Sequence, residues 1–453
     1  MDLVVVGGGV AGLAAAHRAT ERGAEVALFE ASDRVGGLVR TERVDGYVIE
    51  RGPESFLTRD PILLELSETL GIADHLVRTE AQGAFVVHRG KLEPIPPGFQ
   101  LLAPLDAKSF LKTPLVSPMG KLRAMMEPWL PASPKEDESL ASFVRRRFGD
   151  ELLVRLAQPL ASGIYGADPE RLGLRSTLPR FLDAEASGSV VRGLKAQAGS
   201  ADRAAGARYG LFASYDDGME VLTDAWARAL GDVVRTSDPV QSIERRGAGW
   251  VVRSLAGVLE AKALVLATPA PVASRLLAPL DAALAAELTA IRLGSAATAT
   301  FGFEATALPP LNTAGFVVPA AEGTPVLACT FSSAKWPHRA PESKALIRVF
   351  LGGHTNQDVV TQSDAALVRF ARRGLRELMD VTAEPLFERV DKWRHAMPRY
   401  EVGHHRRVDR IERAVAALGP MRLAGVAYRG VGLPAVAQGG RGAADALLEL
   451  SRR

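Results

Sequence analysis

The stretch whose reading decides the fold is the first one, MDLVVVGGGVAGLAAA, residues 1–16. LVVV (3–6) is an apolar run of the kind buried in a parallel sheet, and VAGLAAAHRATERG (10–23) reads as a helix closed by Gly23. Between them Gly7, Gly9 and Gly12 have the spacing G-x-G-x-x-G. Gly7 permits a tight turn, Gly9 lets backbone approach a pyrophosphate, and Gly12 lets helix and strand pack closely, while the helix start offers N–H donors to phosphate oxygens. A second strand, AEVALFE (24–30), ends on Glu30, eighteen residues beyond Gly12, where a carboxylate can accept both hydroxyls of an adenosine ribose. Strand, glycines, helix and terminal acid in register predict a dinucleotide site. NAD and FAD fit this stretch equally well.

Composition narrows the rest. The 453 residues, 47% of them apolar, suffice for about two or three domains. Fifty-five basic against 52 acidic residues leave a net charge of +3, which makes no electrostatic case for nucleic acid. The lone cysteine, Cys329, excludes an intrachain disulfide, a Cys-x-x-Cys pair and a cysteine-rich metal site, and reads as a small core residue. His404 and His405 lack metal-ligand spacing and read as structural or solvent-facing, so no metal is expected. No signal-peptide pattern precedes the first strand, and the apolar run 263–280 is broken by prolines and Arg275, so the expected location is cytoplasmic.

The residues after Glu30 separate the two cofactors. ASDRVGGLVRTERVDGYVIERGPESF (31–56) makes one glycine turn at Arg34, Gly36 and Gly37 and another at Gly52-Pro53-Glu54-Ser55, where a nicotinamide enzyme continues into a helix and a third parallel strand. Such turns suit backbone laid along an extended cofactor with its N–H groups turned inward. In this order they resemble the FAD-binding start of the flavin amine oxidase superfamily. The far end agrees: MRLAGVA (421–427) reads as a strand, YRGVGLP (428–434) as a glycine turn and AVAQGGRGAADALLEL (435–450) as a helix. In that superfamily the positive end of this helix faces the pyrimidine edge of the flavin. Strand patterns in 238–254 and 261–271 return the chain to the nucleotide unit. The expected fold is α/β with α+β parts: a Rossmann-like FAD-binding domain over 1–84, 207–292 and 403–453, a helical insertion over 85–206, and an antiparallel-sheet substrate-binding domain over 293–402.

Within the insertion, KSFLKTPLVSPMGKLR (108–123) has four basic residues, no acid, and Phe110, Leu111, Leu115, Val116, Met119 and Leu122. That pattern serves either a surface resting on anionic lipid or a solvated charged face over core-facing apolar residues. Residues 293–402 alternate strand patterns with one long helix, 364–379, and read as an antiparallel sheet with one face free to line an apolar cavity.

Taken in order, GGGVAGLAAA, ERGPESF, SGIYGADPERL (162–172), AGFVVPA (314–320), MPRYEVGH (397–404) and YRGVGLP resemble the oxygen-dependent protoporphyrinogen oxidase family, which includes the bacterial coproporphyrinogen III oxidases. The resemblance covers nearly the whole chain. It implies an FAD enzyme of haem biosynthesis that oxidises protoporphyrinogen IX, or alternatively coproporphyrinogen III, with O2 as acceptor and three H2O2 formed. The flavin N5 carries the hydride chemistry, and no side chain is assigned a catalytic role. The resemblance further implies FAD contacts from Gly7, Gly9, Val10, Ala11, Gly12, Glu30, Ala31, Arg34, Gly37, Leu38, Gly52, Pro53, Glu54 and Ser55, with Val240 at the adenosine end, Trp393 near the cofactor, and Val426, Val431, Gly432 and Leu433 at the flavin. For the substrate it implies Gly163 beside the macrocycle and an apolar clamp of Ala314, Val317 and Phe350. Gln100 takes the substrate-side position where animal and plant members carry an arginine assigned to a propionate. Peripheral contact with the cytoplasmic face of a membrane and a homodimer are both left open.

Three other readings share parts of this pattern. An amine or carotenoid oxidase of the same fold shares both ends of the chain and differs in the inserted segments. A binding module akin to the proteins that hold prenylated GTPases lacks stoichiometric flavin. An NAD-dependent dehydrogenase is colourless and needs nicotinamide.

Overall fold

Four-residue runs without a polar position cannot face water on either side, and the computed structural model buries three of them in one parallel sheet. Leu3–Val6 lies between Val26–Phe29 and Ala263–Leu266, with Leu3 opposite both Val26 and Ala263, and Val234–Arg235 and Met421–Leu423 complete the edges. The side-chain period of two divides the central strand between two cores. Leu3 and Val5 pack with Leu13 and Ala14 of helix Val10–Glu21 and with Ala437 and Ala444 of helix Leu433–Leu450, whereas Val4 and Val6 pack with Trp250, Leu276, Ile411 and Val415. The structure describes residues 1–201, 211–353 and 356–450, so the boundary expected at 206/207 lies outside the described residues.

A second sheet has seven strands in the order Phe387–Pro398, Leu293–Glu304, Lys344–Gly352, Val326–Phe331, Gly315–Val317, Phe85–His88 and Lys91–Pro94. The last two correct the sequence reading, which placed 85–94 in the helical insertion. Arg89 and Gly90 both have positive φ (53° and 72°), the geometry of a two-residue hairpin turn, and the hairpin adds to the sheet edge through parallel pairing of Val86 with Val317. One face of the sheet, with Ala297, Ala299, Phe301, Ile347 and Val349, packs on Leu367, Ala371 and Leu375 of helix Asp364–Met379.

The remainder of the insertion is helical, built on Phe110, Phe143, Phe148, Leu156 and Phe181. Only half of the apolar residues in 108–123 form a surface. Phe110, Leu115 and Val116 are buried in the insertion core, while Leu111, Met119 and Leu122 are exposed, Met119 to 73%. Among the described residues, no helix is long and apolar enough to cross a membrane.

Candidate cofactor and substrate site

The nucleotide end is shaped by backbone. A Cβ on Gly12 would stand 1.8 Å from Gly7 O, so helix start and strand end touch directly, whereas a Cβ on Gly9 meets nothing within 4 Å. The space over Gly9 is bounded by the Gly36–Gly37 turn, where Gly36 donates to Gly8 O at 2.8 Å. Helix Val10–Glu21 has no side-chain cap and no acid in its first turn, so its free N–H groups suit phosphate oxygens. Glu30 Oε2 accepts the Gly8 N–H at 2.6 Å, and Oε1 accepts the N–H and hydroxyl of Ser32 at 2.8 and 2.7 Å, which leaves acceptor capacity for a ribose hydroxyl. Ala31 is exposed beside it. Val240 begins a strand two residues after Asp238, whose N–H donates to Glu30 O at 3.0 Å, and so lies at the same end. The open cradle, the uncapped helix and the carboxylate fit an adenine dinucleotide.

Arg34 holds the backbone of its own turn. Its guanidinium donates to the carbonyls of Val35, Gly37 and Val39 at 2.9, 2.9 and 3.0 Å, bracing the turn that presents Gly37 and the exposed Leu38. The turn backbone is then the part that can meet a cofactor.

Residues 51–55 are held from the second sheet. Buried Arg348 donates from Nη1 to Gly52 O at 2.7 Å and from Nη2 to Arg51 O at 2.8 Å, and Arg51 Nε donates to Asp391 Oδ1 at 2.6 Å. Glu54 accepts from Lys335 Nζ (2.9 Å), Trp336 Nε1 (2.8 Å) and Ser332 Oγ (3.1 Å). Burial alone would raise its carboxyl, but Lys335, Arg348 and Arg339 hold it down at about 2. Its side chain thus locks this loop to the short helix Ser332–Lys335 and to Trp336 beyond it, while Pro53 and Ser55 flank it half-buried. Four residues earlier, burial pushes Glu50 up to about 7 although Arg339 lies 3.0 Å away.

The sheet face over this loop departs from the apolar wall read from the sequence. Register sets Thr298 opposite Phe350 and Asp391, Thr300 opposite Arg348, and Ala296 opposite Trp393, so alternation puts Thr298, Thr300, Arg348, Phe350, Asp391 and Trp393 on one side. The face is polar where it meets the carbonyls of Arg51 and Gly52, because a buried acceptor without a donor costs about 1–3 kcal/mol.

The apolar part lies further along. Val317 pairs with Ala328, Ala328 with Phe350, and a Cβ on Gly163 would lie 3.6 Å from Val317 Cγ1, so Gly163, Val317 and Phe350 share one wall between helix Gln158–Tyr165 and the sheet. Ala314 precedes the strand; its carbonyl is taken by Phe331 N–H (3.1 Å) and Thr330 Oγ (3.2 Å). Gln100 sits in the two-residue strand Phe99–Gln100 of the insertion, and among the described residues no hydrogen bond or strand pairing joins it to Gly163, Val317 or Phe350. Val426 and Leu433 pack on the cluster containing Val10 and Ala11, with Val431 and Gly432 between them in the chain. Sequence reasoning missed Arg348, Lys335, Trp336 and Asp391. An arginine inside the apolar run ALIRVFLG (345–352) is the one signal that marks any of them.

A parallel sheet assembled from three stretches of chain, with a glycine turn and an uncapped helix at its first strand and a second sheet clamped over the loop 51–55, has the form of a two-sheet flavoprotein oxidoreductase. The chain belongs to the flavin containing amine oxidoreductase family, which it matches over residues 10–448. It is 34% identical to the coproporphyrinogen III oxidase of Bacillus subtilis (strain 168), over 99% of this chain and 98% of that one. It is 30% identical to the chloroplastic protoporphyrinogen oxidase of Nicotiana tabacum, over 97% of this chain and 83% of the relative. A protein of known structure from Exiguobacterium sp. 255-15 shares the fold with a TM-score of 0.88 and 33% identity, over 99% of this chain and 98% of that one. The protein is an FAD-dependent oxidoreductase, in agreement with the family, fold class and cofactor read from the sequence.

Proposed function

We propose that the enzyme oxidises a porphyrinogen to the corresponding porphyrin with O2 as acceptor, and that coproporphyrinogen III is its substrate, with protoporphyrinogen IX as the second reading. The observation that carries this is the wall of Gly163, Val317 and Phe350 beside the loop 51–55. The sequence alone puts protoporphyrinogen IX first; the names of the bacterial relatives, at 34% and 31% identity, favour coproporphyrinogen III. The balanced reaction takes six electrons and six hydrogens from the macrocycle and turns three O2 into three H2O2. When bound, FAD supplies two-electron hydride acceptance.

The chain's own residues supply position and enclosure. Gly163, without a side chain, lets helix Gln158–Tyr165 approach Val317 until a single Cβ would touch its Cγ1 at 3.6 Å, and Val317 and Phe350 offer an apolar surface that excludes water from a ring lying alongside this contact. Arg348 and Glu54 fix the loop on which reactants are aligned, which is where rate is gained when no side chain reacts. In this proposal residues 85–94 group with 293–402, and 1–84, the chain from 211 to 292, and 403–450 form the FAD unit.

Peripheral contact with anionic lipid is part of the same proposal. Leu111, Met119, Leu122, Met126 and Trp129 are exposed, Trp129 to 78%, alongside Lys108, Lys112 and Lys121. Vesicles containing anionic lipid should sediment the protein in a salt-sensitive way, and a Leu122→Glu/Trp129→Glu variant should stay in the supernatant; equal behaviour of the two proteins removes this part.

The test of the function is to follow porphyrin fluorescence after mixing the aerobic protein with each porphyrinogen separately. Formation of coproporphyrin III faster than protoporphyrin IX is expected, with both above autoxidation. Rates at the autoxidation level for both overturn the assignment.

A further inference from the structure

Two side chains of the MPRYEVGH segment hold the loop that runs into the last helix. Buried Tyr400 places its hydroxyl between two backbone groups of that loop, donating to Val426 O at 2.5 Å and accepting the Gly430 N–H at 2.9 Å. His404, four residues on, stacks on the Tyr400 ring with centroids 4.1 Å and planes 13° apart, and its Nε2 lies 3.1 Å from Tyr428 O. A carbonyl only accepts, so Nε2 carries the proton. Burial lowers the imidazole to about 4, which keeps it neutral with a single N–H for that carbonyl. Together the two rings take three backbone groups of residues 426–430.

Apart from these bonds, residues 426–430 are held by packing, with Val426 against the core of Val10 and Ala11 and with Ala427 and Tyr428 buried in the core of Val4 and Val6, rather than by a backbone ladder. Gly425 and Gly430 have φ of +125° and +133°, conformations open to glycine that interrupt any regular ladder, and Tyr428 N–H reaches Gly425 O only at 3.4 Å. The Tyr428 hydroxyl is buried and has no hydrogen-bond partner among the described residues. Arg429 turns outward to Asp409 at 2.7 Å and Glu412 at 3.0 Å on helix His404–Leu418. The Tyr400 segment is itself fixed from the insertion. Gly173 N–H donates to Tyr400 O at 2.7 Å, Gly403 N–H donates to Asp137 Oδ2 at 2.8 Å, and a Cβ on Gly173 would stand 2.7 Å from Glu401 O. The helices that carry Gly163 and the loop that leads to Leu433 therefore share one anchor.

We infer that Tyr400 is a positioning residue for bound FAD, with His404 as its brace: by fixing Val426–Gly430 it sets the place of the N-terminus of helix Leu433–Leu450, and so how readily FAD held at that end accepts electrons. The physical link is the positive end of the helix, whose unpaired N–H groups favour the negative charge that arises on reduction. The inference rests on the FAD site and is independent of which porphyrinogen is oxidised.

Tyr400→Phe keeps the ring stack and removes the hydroxyl. The expected protein retains stoichiometric FAD but shows a more negative flavin reduction potential, a displaced visible band, and a kcat lower by about tenfold with KM changed by less than about twofold. Potential and spectrum are read by dye equilibration without any porphyrinogen, so they hold or fail separately from the substrate assignment. His404→Phe keeps a stack and removes the donor to Tyr428; it should shift the potential in the same direction, and it carries the test if Tyr400→Phe does not fold. An unchanged potential and spectrum in a folded, flavin-loaded variant overturns the inference, whatever its stability.

Discussion

Arg348 and Gly52, 296 positions apart in the chain, are joined at 2.7 Å through Nη1 and the glycine carbonyl, and the same guanidinium takes the Arg51 carbonyl at 2.8 Å. A planar fork spans two consecutive carbonyls, whereas an ammonium serves one. Arg348→Lys is therefore expected to weaken FAD binding by about tenfold, the worth of one hydrogen bond to a charged group. Titration of apoprotein with FAD checks this, and an unchanged Kd removes Arg348 from the support of the cofactor loop.

Glu30 organises its own surroundings before any ligand arrives, through Gly8 and Ser32. Glu30→Ala should raise the Kd for FAD by about ten- to a hundredfold, in line with about 1.5–3 kcal/mol for hydrogen bonds to a charged group. Flavin occupancy equal to that of the parent protein after gel filtration would count against the role.

Two neighbouring glycines in the last helix should respond in opposite directions. A Cβ on Gly440 would lie 2.0 Å from Ala11 O, at the crossing with helix Val10–Glu21, while one on Gly439 meets nothing within 4 Å. Gly440→Ala is expected to cost about 3 kcal/mol through forced separation of the helices, and Gly439→Ala to add about 0.5–1 kcal/mol from helix propensity. Urea unfolding of the two variants decides; equal midpoints would mean that the helices are not in backbone contact.

Two carboxylates four residues apart should bend the pH dependence of stability in opposite ways. Glu54 is lowered from 4.5 to about 2, so its contribution is complete above 4.5 and is lost as the pH falls toward 2. Glu50 is raised from 4.5 to about 7, so folding favours its neutral form and that contribution is lost as the pH rises from 4.5 through 7. Glu54→Gln should abolish part of the acid loss below 4.5 and destabilise the protein at pH 8 by about 3 kcal/mol, because Lys335 then lacks its carboxylate. Unfolding midpoints measured from pH 3 to 8 should show both changes.

At the proposed substrate wall, Gly163→Leu fills the space between helix Gln158–Tyr165 and Val317. KM for coproporphyrinogen III should rise by about tenfold or more with FAD content unaltered, an apolar side chain costing about 1–3 kcal/mol where a ring must fit. A steady-state KM equal to that of the parent places the macrocycle elsewhere.

The nucleotide unit was legible because its determinants are local. From Leu3 to Glu30 the strand, the glycine turn, the helix and the terminal acid lie within one short stretch, and each requirement falls on a residue type: no polar atom in the strand, no Cβ at Gly12, an acid at the end. The strand and helix at 421–450 were readable for the same reason. MPRYEVGH was recognisable as a family mark, but the roles of Tyr400 and His404 were not, since their partners lie 26 and 24 residues away, beyond helix His404–Leu418 and strand Met421–Leu423.

What the amino-acid order determined by itself is the dinucleotide grip, the family and the flavin, all carried by backbone conformations that glycines and short apolar runs dictate. Only the tertiary structure decided which side chains hold the cofactor loop, which apolar residues of 108–123 face outward, and that 85–94 closes the edge of the second sheet. Arg348 owes its role to the register of a strand, and Lys335 to the short helix Ser332–Lys335, both far in sequence from residues 51–55, and Phe110 and Leu111 differ only in the side of one helix on which each falls. Local chemistry encodes conformation, while partners across the chain are assigned by packing, where the cost of leaving a buried carbonyl or charge unmatched selects one arrangement.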